Sequence, residues 1–520
     1  MKKKLAMKVC ALALTTAMIG TMAGCGNDSG NTGSSQSGSS EDSQSSSASS
    51  DTASDAQDGS GEESSDEATP PEGEAADGEE TYDFGGATIK VSGAYWYDLS
   101  EENSENASYI KAHDLLPQLE EKYNVKIEYV KLEGDDGYNT TDMIQSTILS
   151  GECYADLFSG ADIIALGDYL VDNTETSDFL EIGSIYLEPA TWNGHTYGFS
   201  CENVGNVMVM TYSRDYLSSI GMDVTPTDKF LAGEWSYDDC KEYLTELKSK
   251  LPEGTYPICI HSNTWTEMAP AANGSVSIDS NGEIHLTDEA YIEAIEFYRE
   301  LIDLGLAKPI PAERNEDGSI SSEQGGEQCT ATEAKDCVIS TAEHWYMDSL
   351  EGSLGSWGIV PWPWGSNVTC EGDYTTLSDN YHTAHVLWTD MVAVKSEYRS
   401  EGAKNIPDDV LLKIGLDWCD MNDPVAASVR HAAFEAEKNG QEYQNLGYEA
   451  GTMRSFSTKE DADLYDWMHS RAIIDWGRTL NSYVRVYRNA LAIIALGDDG
   501  RASSESFAQA GQLAMDEAFK

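Results

Sequence analysis

Aromatic and polar side chains directly follow several of the strands that this sequence predicts, and together they could hold a small polar ring. A flat aromatic side chain can cover the apolar face of such a solute, while amides and carboxylates bond to its hydroxyl groups. In α/β sheets, ligands bind beyond the carboxyl ends of the strands, where most of these residues stand. Glu202 and Asn203 instead precede the strand that leads into the second lobe, and Trp388 precedes an apolar run that is predicted to be a crossing strand. The candidate ligand-binding residues are Tyr95, Trp96, Asp162, Glu202, Asn203, Asn263, Trp265, Glu343, Trp345, Tyr346 and Trp388.

Other tryptophans fit a core better than a site. Trp362 and Trp364 flank a proline, which predicts a rigid turn with a structural role. Trp418, Trp467 and Trp476 fall in helical patterns, where a large ring normally packs inside. Core packing is also the alternative for each tryptophan among the candidates.

The sequence contains little that indicates a catalytic site or a metal site. Carboxylates are so frequent that no pair stands out as the acid and nucleophile of a glycoside hydrolase. Outside the Ser-rich N-terminal segment there is no nucleophile-elbow motif, and no phosphate-binding glycine loop occurs. His382 and His385 have a spacing that suits a metal on a helix, but their Thr and Ala neighbours favour a strand or loop. We therefore expect no catalytic residue, no metal and no cofactor.

The elements that must position the candidates indicate an α/β fold. Strands are predicted at 88–92, 125–130 and 155–158, with helices between them and a C-cap glycine at Gly151. Strand–helix–strand–helix–strand implies a parallel, doubly wound sheet.

A second lobe is predicted to begin after a strand at 206–212. Ser236 and Asp239 have the spacing of a capping box at the start of a helix. A further helix is predicted at 287–305. Both helices have an apolar stripe that indicates core packing.

The charge of the chain excludes some partners. Its 520 residues include 91 acidic and 32 basic side chains, a formal net charge of −59. Nucleic acids bind clustered Lys and Arg, so a nucleic-acid partner is excluded, and electrostatic docking on anionic lipid is disfavoured. We interpret the acidity as a solubility trait, with a mild bias against anionic solutes as the alternative.

The N-terminus has the pattern of an export signal. A Lys-rich start and a short apolar stretch lead to Met22-Ala-Gly-Cys25, which resembles a lipobox. The resemblance implies a lipoprotein signal peptide at 1–24 and a lipid on Cys25, so that the protein is anchored to a membrane without spanning it. An ordinary signal peptide with an incidental cysteine is the alternative.

The segment that follows Cys25 is predicted to be a disordered tether. Residues 26–80 contain 15 acidic residues and no Lys or Arg, and they are otherwise rich in Ser and Gly. Such a composition cannot bury enough apolar surface to offset chain entropy. The domain boundaries are therefore 1–24, 25–80 and 81–520.

Eight cysteines remain after the signal peptide and Cys25. Cys240 falls on an apolar helix face and Cys259 within a strand, which favours free buried thiols. No Cys-x-x-Cys motif occurs, so thiol redox catalysis is not expected. Pairing stays open, with Cys329 and Cys337 as the nearest couple.

Several individually weak motifs occur in an order that is characteristic of one family. They are Tyr154–Phe158 (YADLF), Trp192–Ser200 (WNGHTYGFS), Val209–Leu217 (VMTYSRDYL), Glu234–Asp239 (EWSYDD), Cys337–Ser340 (CVIS) and Gly358–Pro361 (GIVP). In this order they resemble family 1 of the extracellular solute-binding proteins, the maltose-binding-like receptors of ABC sugar importers, over about residues 81–520. His195, Ser200 and Ser213-Arg214 depart from residues common in the family, which leaves the subfamily open.

The resemblance implies an α/β, periplasmic-binding-protein-like fold with two lobes, a hinge and an interlobe ligand cleft. It implies a monomeric receptor at the outer face of the cytoplasmic membrane, extracellular, in a Gram-positive bacterium. Its partners would be a mono- or oligosaccharide and the transmembrane subunits of an ABC permease. Two other functions stay open: a surface glycan-active enzyme, and a non-transport sugar-binding adhesin or sensor.

Overall fold

The computed structural model describes most of the chain beyond its N-terminal segment. The described residues are 82–101, 104–131, 140–151, 153–159, 162–201, 208–316, 319–322, 336–342, 350, 354–385, 391–441 and 456–518. Within these ranges, no helix has the length and apolar character needed to cross a bilayer.

Short strands and longer helices alternate along most of the described chain. The strands are β1 Ala87–Ser92, β2 Val125–Tyr129, β3 Leu157–Phe158, β4 Thr191–Trp192, β5 His195–Thr196, β6 Val209–Ser213, β7 Tyr256–Ile258, β8 Ala312–Arg314, β9 Ile320–Ser322, β10 Cys337–Ala342, β11 Trp357–Val360, β12 Thr383–His385, β13 Val392–Ala393 and β14 Ala472–Ile474. The helices are α1 Ala107–Tyr123, α2 Thr140–Ser150, α3 Ile163–Leu166, α4 Arg214–Ser219, α5 Pro226–Leu231, α6 Tyr237–Lys250, α7 Ser262–Ala272, α8 Glu289–Asp303, α9 Asp408–Asn422, α10 Pro424–Lys438, α11 Lys459–His469, α12 Asn481–Val484, α13 Val486–Ile494 and α14 Gly500–Ala518.

Lobe 1, residues 82–201 and 391–441, is built on a four-stranded sheet with the order β13-β3-β1-β2. The central strand β1 pairs in parallel with β2 and β3, so that Val91 lies opposite both Tyr129 and Leu157. The parallel sheet expected from the alternation of strands and helices is confirmed. The fourth strand, β13, comes from the later part of the chain and is antiparallel to β3.

Lobe 2, residues 208–385 and 456–518, is built on a second four-stranded sheet with the order β11-β6-β10-β7. Here β10 and β7 are parallel, but β6 is antiparallel to both of its neighbours. The carboxyl ends of β7 and β10 therefore lie at one edge of the sheet, whereas β6 runs the opposite way.

Two hydrophobic clusters form the core. The smaller one lies within lobe 1, between its sheet and helices α1 and α9. The larger one contains residues of both lobes. Trp362, Trp364, Trp418 and Trp476 are all buried, which confirms their expected core packing.

Helix α6 begins where the sequence predicted. The Ser236 side chain accepts a hydrogen bond from the Asp239 amide, and the Asp239 carboxylate accepts one from the Ser236 amide. This reciprocal pairing satisfies two amides that the first helical turn leaves unbonded, which is why the sequence signal is reliable.

Three stretches of chain join the two lobes. They are residues 202–207, 386–390 and 442–455, and all three lie outside the described residues. The segment before the first connection and the segment after the second connection lie side by side in lobe 1. Phe199 of the former forms a β-bridge with Met391 of the latter.

A disulfide between Cys201 and Cys419, with Cα atoms 6.3 Å apart, ties the end of this Phe199 segment to helix α9. Cys259 is also disulfide-bonded, so the expectation of a free thiol there is wrong. Cys240 is free and buried, as expected, and Cys337 is free, so the nearest couple in sequence, Cys329 and Cys337, is not the pair that forms. A short distance in sequence is a poor guide to pairing, since the bond that forms depends on which Cβ atoms the fold brings together.

Candidate functional site

The carboxyl ends of β1 and β3 meet tightly in lobe 1. Gly93 follows β1 with a φ of +103°, and a Cβ there would lie only 2.5 Å from the Ser159 carbonyl oxygen. The Tyr95 amide donates to Ser159 Oγ over 3.0 Å. This contact places Tyr95, which is half-buried, at the edge of the sheet where the chain leaves β3 for Asp162.

Asp162 is a half-buried carboxylate just beyond this edge. Its Oδ1 caps α3 by accepting from the amides of Ile164 and Ala165 over 3.0 and 3.1 Å. Its Oδ2 has no hydrogen-bond partner among the described residues. Burial raises the pKa of Asp162 to about 6, against the opposing effect of the two amides. The structure thus brings two candidates, Tyr95 and Asp162, to one edge of lobe 1.

Trp96, one of the candidate ligand-binding residues, lies in the core of lobe 1. It is fully buried, and its ring stacks on Trp418 with centroids 5.3 Å apart. Residues Ala94–Leu99 form one 3-10 helical segment instead of an open loop, and this turn directs the large ring into the core. The expectation that the Trp96 ring is exposed for stacking on a solute is therefore wrong. Trp418 Nε1 also donates to the carbonyl of Tyr95, which helps to fix the position of that candidate.

At the corresponding edge of lobe 2, helix α7 begins three residues after β7. Its N-cap is His261, whose Nδ1 accepts from the Asn263 amide over 3.1 Å. Burial lowers the pKa of His261, which favours the neutral ring, and the bond from the Asn263 amide requires the tautomer in which Nδ1 carries no proton. Asn263 is half-buried in the first turn and stays a candidate.

Trp265 lies one turn into α7 and is fully buried. Its ring stacks on Tyr298 at 4.6 Å, and its Nε1 donates to the Ala294 carbonyl over 2.8 Å. The expectation of a solvent-facing ring is wrong for Trp265 as well. The sequence suggested a loop after β7, but the chain turns at once into a helix whose apolar face packs on α8.

The remaining candidates lie outside the described residues. They are Glu202, Asn203, Glu343, Trp345, Tyr346 and Trp388.

A polar cluster in lobe 2 was missed by the sequence analysis. Tyr487 donates from its hydroxyl to Glu267, and an Arg478 nitrogen lies 3.7 Å from the same carboxylate. The cluster joins α7 to α13, and burial together with Glu267 holds the pKa of Tyr487 well above its usual value. Partly buried charges that bond to one another are typical of functional sites, although structural networks have them too.

A signal for this cluster was present in the charge pattern. Residues 476–497 contain three arginines, Arg478, Arg485 and Arg488, and no acidic residue, in a chain with a net charge of −59. Arg485 has a φ of +59°, which is uncommon for a residue with a Cβ. This segment offers guanidinium donors suited to oxygen-rich groups.

Among the residues that the structure describes, one group has side chains close enough to hold a metal. Asp279, Glu283 and His285 place one ligand atom each within 4.8 Å of one another. They lie on a turn in which Asp279 accepts from the amides of Asn281 and Glu283, and His285 pairs with Asp288. These bonds already account for the arrangement as a turn, so we assign no metal to it. The strand β12 covers Thr383–His385, so the spacing of His382 and His385 does not fall on a helix, as expected.

The chain matches a known family and several solved structures. Residues 103–319 match the sequence profile described as "Bacterial extracellular solute-binding protein". A comparison with curated protein sequences found no match.

The solved structures that resemble this chain have low sequence identity but nearly complete coverage of their own chains. UgpB from Mycobacterium tuberculosis, in complex with glycerophosphocholine, is 13% identical with a TM-score of 0.53, covering 84% of this chain and 100% of that one. The cyclic alpha-maltosyl-1,6-maltose binding protein from Arthrobacter globiformis is 13% identical with a TM-score of 0.56, covering 83% and 99%. The sugar-binding protein MalE from Xanthomonas citri is 12% identical with a TM-score of 0.53, covering 83% and 98%.

At such identities the structures establish the fold, and the profile establishes the relationship within its matched segment. The resemblance drawn from the sequence motifs is therefore confirmed for residues 103–319, which match the profile of the bacterial extracellular solute-binding proteins, and the chain shares the two-lobe α/β fold of the solved structures.

Proposed function

We propose that this protein is the membrane-anchored extracellular receptor of an ABC importer, and that it binds a mono- or oligosaccharide between its lobes. The observation that carries the proposal is the edge of lobe 1, where Tyr95 and the half-buried carboxylate of Asp162 stand together beyond β1 and β3. Two of the structural relatives described above are sugar-binding proteins by name, which supports a carbohydrate as the solute.

The side chains of the two edges suit a hydroxyl-rich solute. Asp162 can accept from a solute hydroxyl through Oδ2, since its Oδ1 is already committed to the α3 amides. A buried carboxylate without such a donor is costly, so a bound hydroxyl would relieve that cost. On lobe 2, Asn263 offers both a donor and an acceptor.

Closure of two lobes over the solute would report occupancy to a permease. Polar groups on the two edges would lose water when the lobes approach without solute, and they would then lack partners. The solute supplies those partners and shifts the equilibrium toward the closed form.

Isothermal titration of the purified protein with a panel of neutral mono- and oligosaccharides tests the binding. We expect saturable binding of at least one sugar, and at least tenfold weaker binding by Tyr95→Ala. Tyr97→Ala is the matched control, because Tyr97 lies on the same helical turn with an exposed side chain. Binding of no sugar, or equal loss in both variants, would contradict the proposal, and turnover of a glycoside would favour the alternative of an enzyme.

Anchoring is a separate part of the proposal, supported by the Met22–Cys25 motif. We expect metabolic labelling with a fatty acid to mark the wild-type protein and not Cys25→Ala, and the variant to appear in the culture medium. Retention of the variant in the membrane fraction would refute the lipid anchor. The acidic segment 26–80 would then have no tethering role to serve.

Delivery to a permease is tested in cells that take up the sugar identified above. Deletion of the gene should abolish uptake, and restoration of the lipid-anchored protein should restore it. Unchanged uptake after deletion, with binding intact, would favour an adhesin or sensor.

A further inference from the structure

One aromatic side chain of lobe 1 is seated on lobe 2. Trp192 ends the short strand β4, and the turn that follows uses Asn193 and Gly194, with φ of +56° and +78°. Two positive φ values in a two-residue turn are typical of a type I′ hairpin, which holds its flanking strands in a narrow range of twist. The position of the Trp192 ring is therefore set by lobe 1.

The hairpin is bonded to the rest of lobe 1 along β5. The Asn173 amide donates to the Thr196 carbonyl over 2.8 Å, and the Thr196 amide donates to Thr174 Oγ1 over 2.8 Å. Trp192 and His195 are paired across the two strands. The hairpin thus moves with lobe 1 if the lobes move.

The ring of Trp192 lies against Trp476 and next to Gly282, two residues of lobe 2. Its centroid is 4.9 Å from that of Trp476, in an edge-to-face arrangement. A Cβ built on Gly282 would lie 3.2 Å from Trp192 Cη2 and 3.5 Å from the Met515 methyl. We call this receiving surface, formed by Gly282, Trp476 and Met515, the seat.

The seat is rigid on its own side. Trp476 is buried, and its amide donates to the Ile278 carbonyl over 3.0 Å. The neighbouring Asp475 carboxylate accepts from the amides of Ser277 and Ile278, which fixes the hairpin that carries Gly282. Gly282 has a φ of +77°, which favours glycine in its turn, and the missing side chain leaves room for the Trp192 ring.

We propose that Trp192 is a positioning residue that couples the two lobes, and that its seating stabilises the lobe arrangement of this structure and sets the equilibrium with other arrangements. The lobes are joined by only three stretches of chain, so a noncovalent contact between them must persist, slide or break when they rotate. An edge-to-face aromatic pair between rigid partners favours one discrete arrangement. The consequence for solute affinity rests on the proposed function, but the conformational claim does not.

Interlobe distances in the solute-free protein test this claim. Spin labels at Ser428 in lobe 1 and Ser249 in lobe 2, both exposed, report the arrangement by pulsed electron resonance. The labels are attached through a genetically encoded ketone amino acid, because the chain has free cysteines. We expect Trp192→Ala to move the distance distribution away from that of the wild type, with a roughly three- to tenfold change in the population ratio.

Two further variants separate coupling from general destabilisation. Trp467→Ala removes a half-buried tryptophan whose ring contacts lie within lobe 2, so it should leave the distances unchanged. Gly282→Ala adds a Cβ against the Trp192 ring and should shift the distances in the wild type but not in Trp192→Ala. The proposal is overturned if Trp192→Ala leaves the distribution unchanged, if Trp467→Ala shifts it equally, or if the Gly282→Ala effect is the same in both backgrounds.

The same variants distinguish this inference from the proposed function. If no sugar binds but the distances shift as expected, the receptor proposal fails and the coupling stands. If a sugar binds but the distances do not shift, the coupling fails alone.

Discussion

The chain leaves the sheet differently at the two edges that carry the candidate site. In lobe 1, six residues form a 3-10 segment after β1, and Tyr95 stays half-buried while Trp96 turns onto Trp418. In lobe 2, helix α7 starts almost at once after β7, and Trp265 turns onto Tyr298. In both lobes the local helical turn places the largest apolar ring inside, so following a strand does not by itself place a tryptophan in a site.

The two edges also differ in charge. The edge of lobe 1 carries Asp162, whose hydrogen-bond partners among the described residues are backbone amides. Lobe 2 has the carboxylate of Glu267 paired with Tyr487 and near Arg478. Asp162 therefore keeps a carboxylate oxygen able to accept a further hydrogen bond, whereas the Glu267 carboxylate already has a side-chain donor within its own lobe.

Truncation to alanine tests whether Trp96 and Trp265 stabilise the core. Trp265→Ala and Trp96→Ala should each lower the free energy of unfolding by about 3–5 kcal/mol, because each leaves a large cavity in a packed core. Chemical denaturation measures this directly. A Trp265→Ala protein that keeps wild-type stability but loses solute binding would restore that residue to the site.

Lobe 1 should depend on its disulfide. Replacing Cys201 and Cys419 together by alanine should cost about 4 kcal/mol, because the bond joins residues separated by 218 positions and restricts the unfolded chain. Thermal unfolding of this double variant is compared with Cys337→Ala, which removes a free thiol. An equal loss of stability in both would indicate that the crosslink contributes nothing beyond packing.

Asp162 should lower the stability of the fold and strengthen the binding of solute. Its folded pKa of about 6 lies above the unfolded value, so the group destabilises the fold increasingly as pH rises from 4 to 6. Asp162→Asn keeps an oxygen for the α3 cap and should raise stability by up to about 3 kcal/mol at pH 7, with no gain at pH 4.

Denaturation at several pH values checks the expected gain. A difference between Asp162→Asn and the wild type that does not change with pH would show that ionisation of Asp162 is not its cause. The same variant should bind solute more weakly, because an amide is a poorer acceptor than a carboxylate.

The smallest expected effect concerns His431, away from the candidate edge. Its bond to Asp420, with a further bond to the Glu181 carbonyl, raises the pKa of His431 despite partial burial. The stabilisation is therefore complete below about pH 6.5 and is lost as pH rises through the folded pKa.

We expect His431→Ala to lower stability by less than about 1 kcal/mol at pH 5.5, since the pair is partly exposed to solvent. The difference should shrink at pH 8.5. Thermal scans at both pH values measure it, and a larger loss at the higher pH would contradict the assignment.

Local patterns were enough to place most elements. The strands β1, β2 and β6, the capped start of α6 and the parallel order in lobe 1 were all predicted, because each depends mainly on patterns of residues close together in sequence. Tyr95 and Asp162 were placed at strand ends for the same reason, and their role in binding stays a prediction.

What the sequence by itself determined is the α/β architecture and a resemblance to the extracellular solute-binding proteins, because hydrophobic periodicity, caps and motif order are short-range properties of the chain. Only the tertiary structure decided that Trp96 and Trp265 are core, that Cys201 pairs with Cys419, and that Glu267 meets Tyr487. Each of these depends on residues far apart in sequence, and their proximity follows from how helices pack on the sheets, which local patterns do not encode.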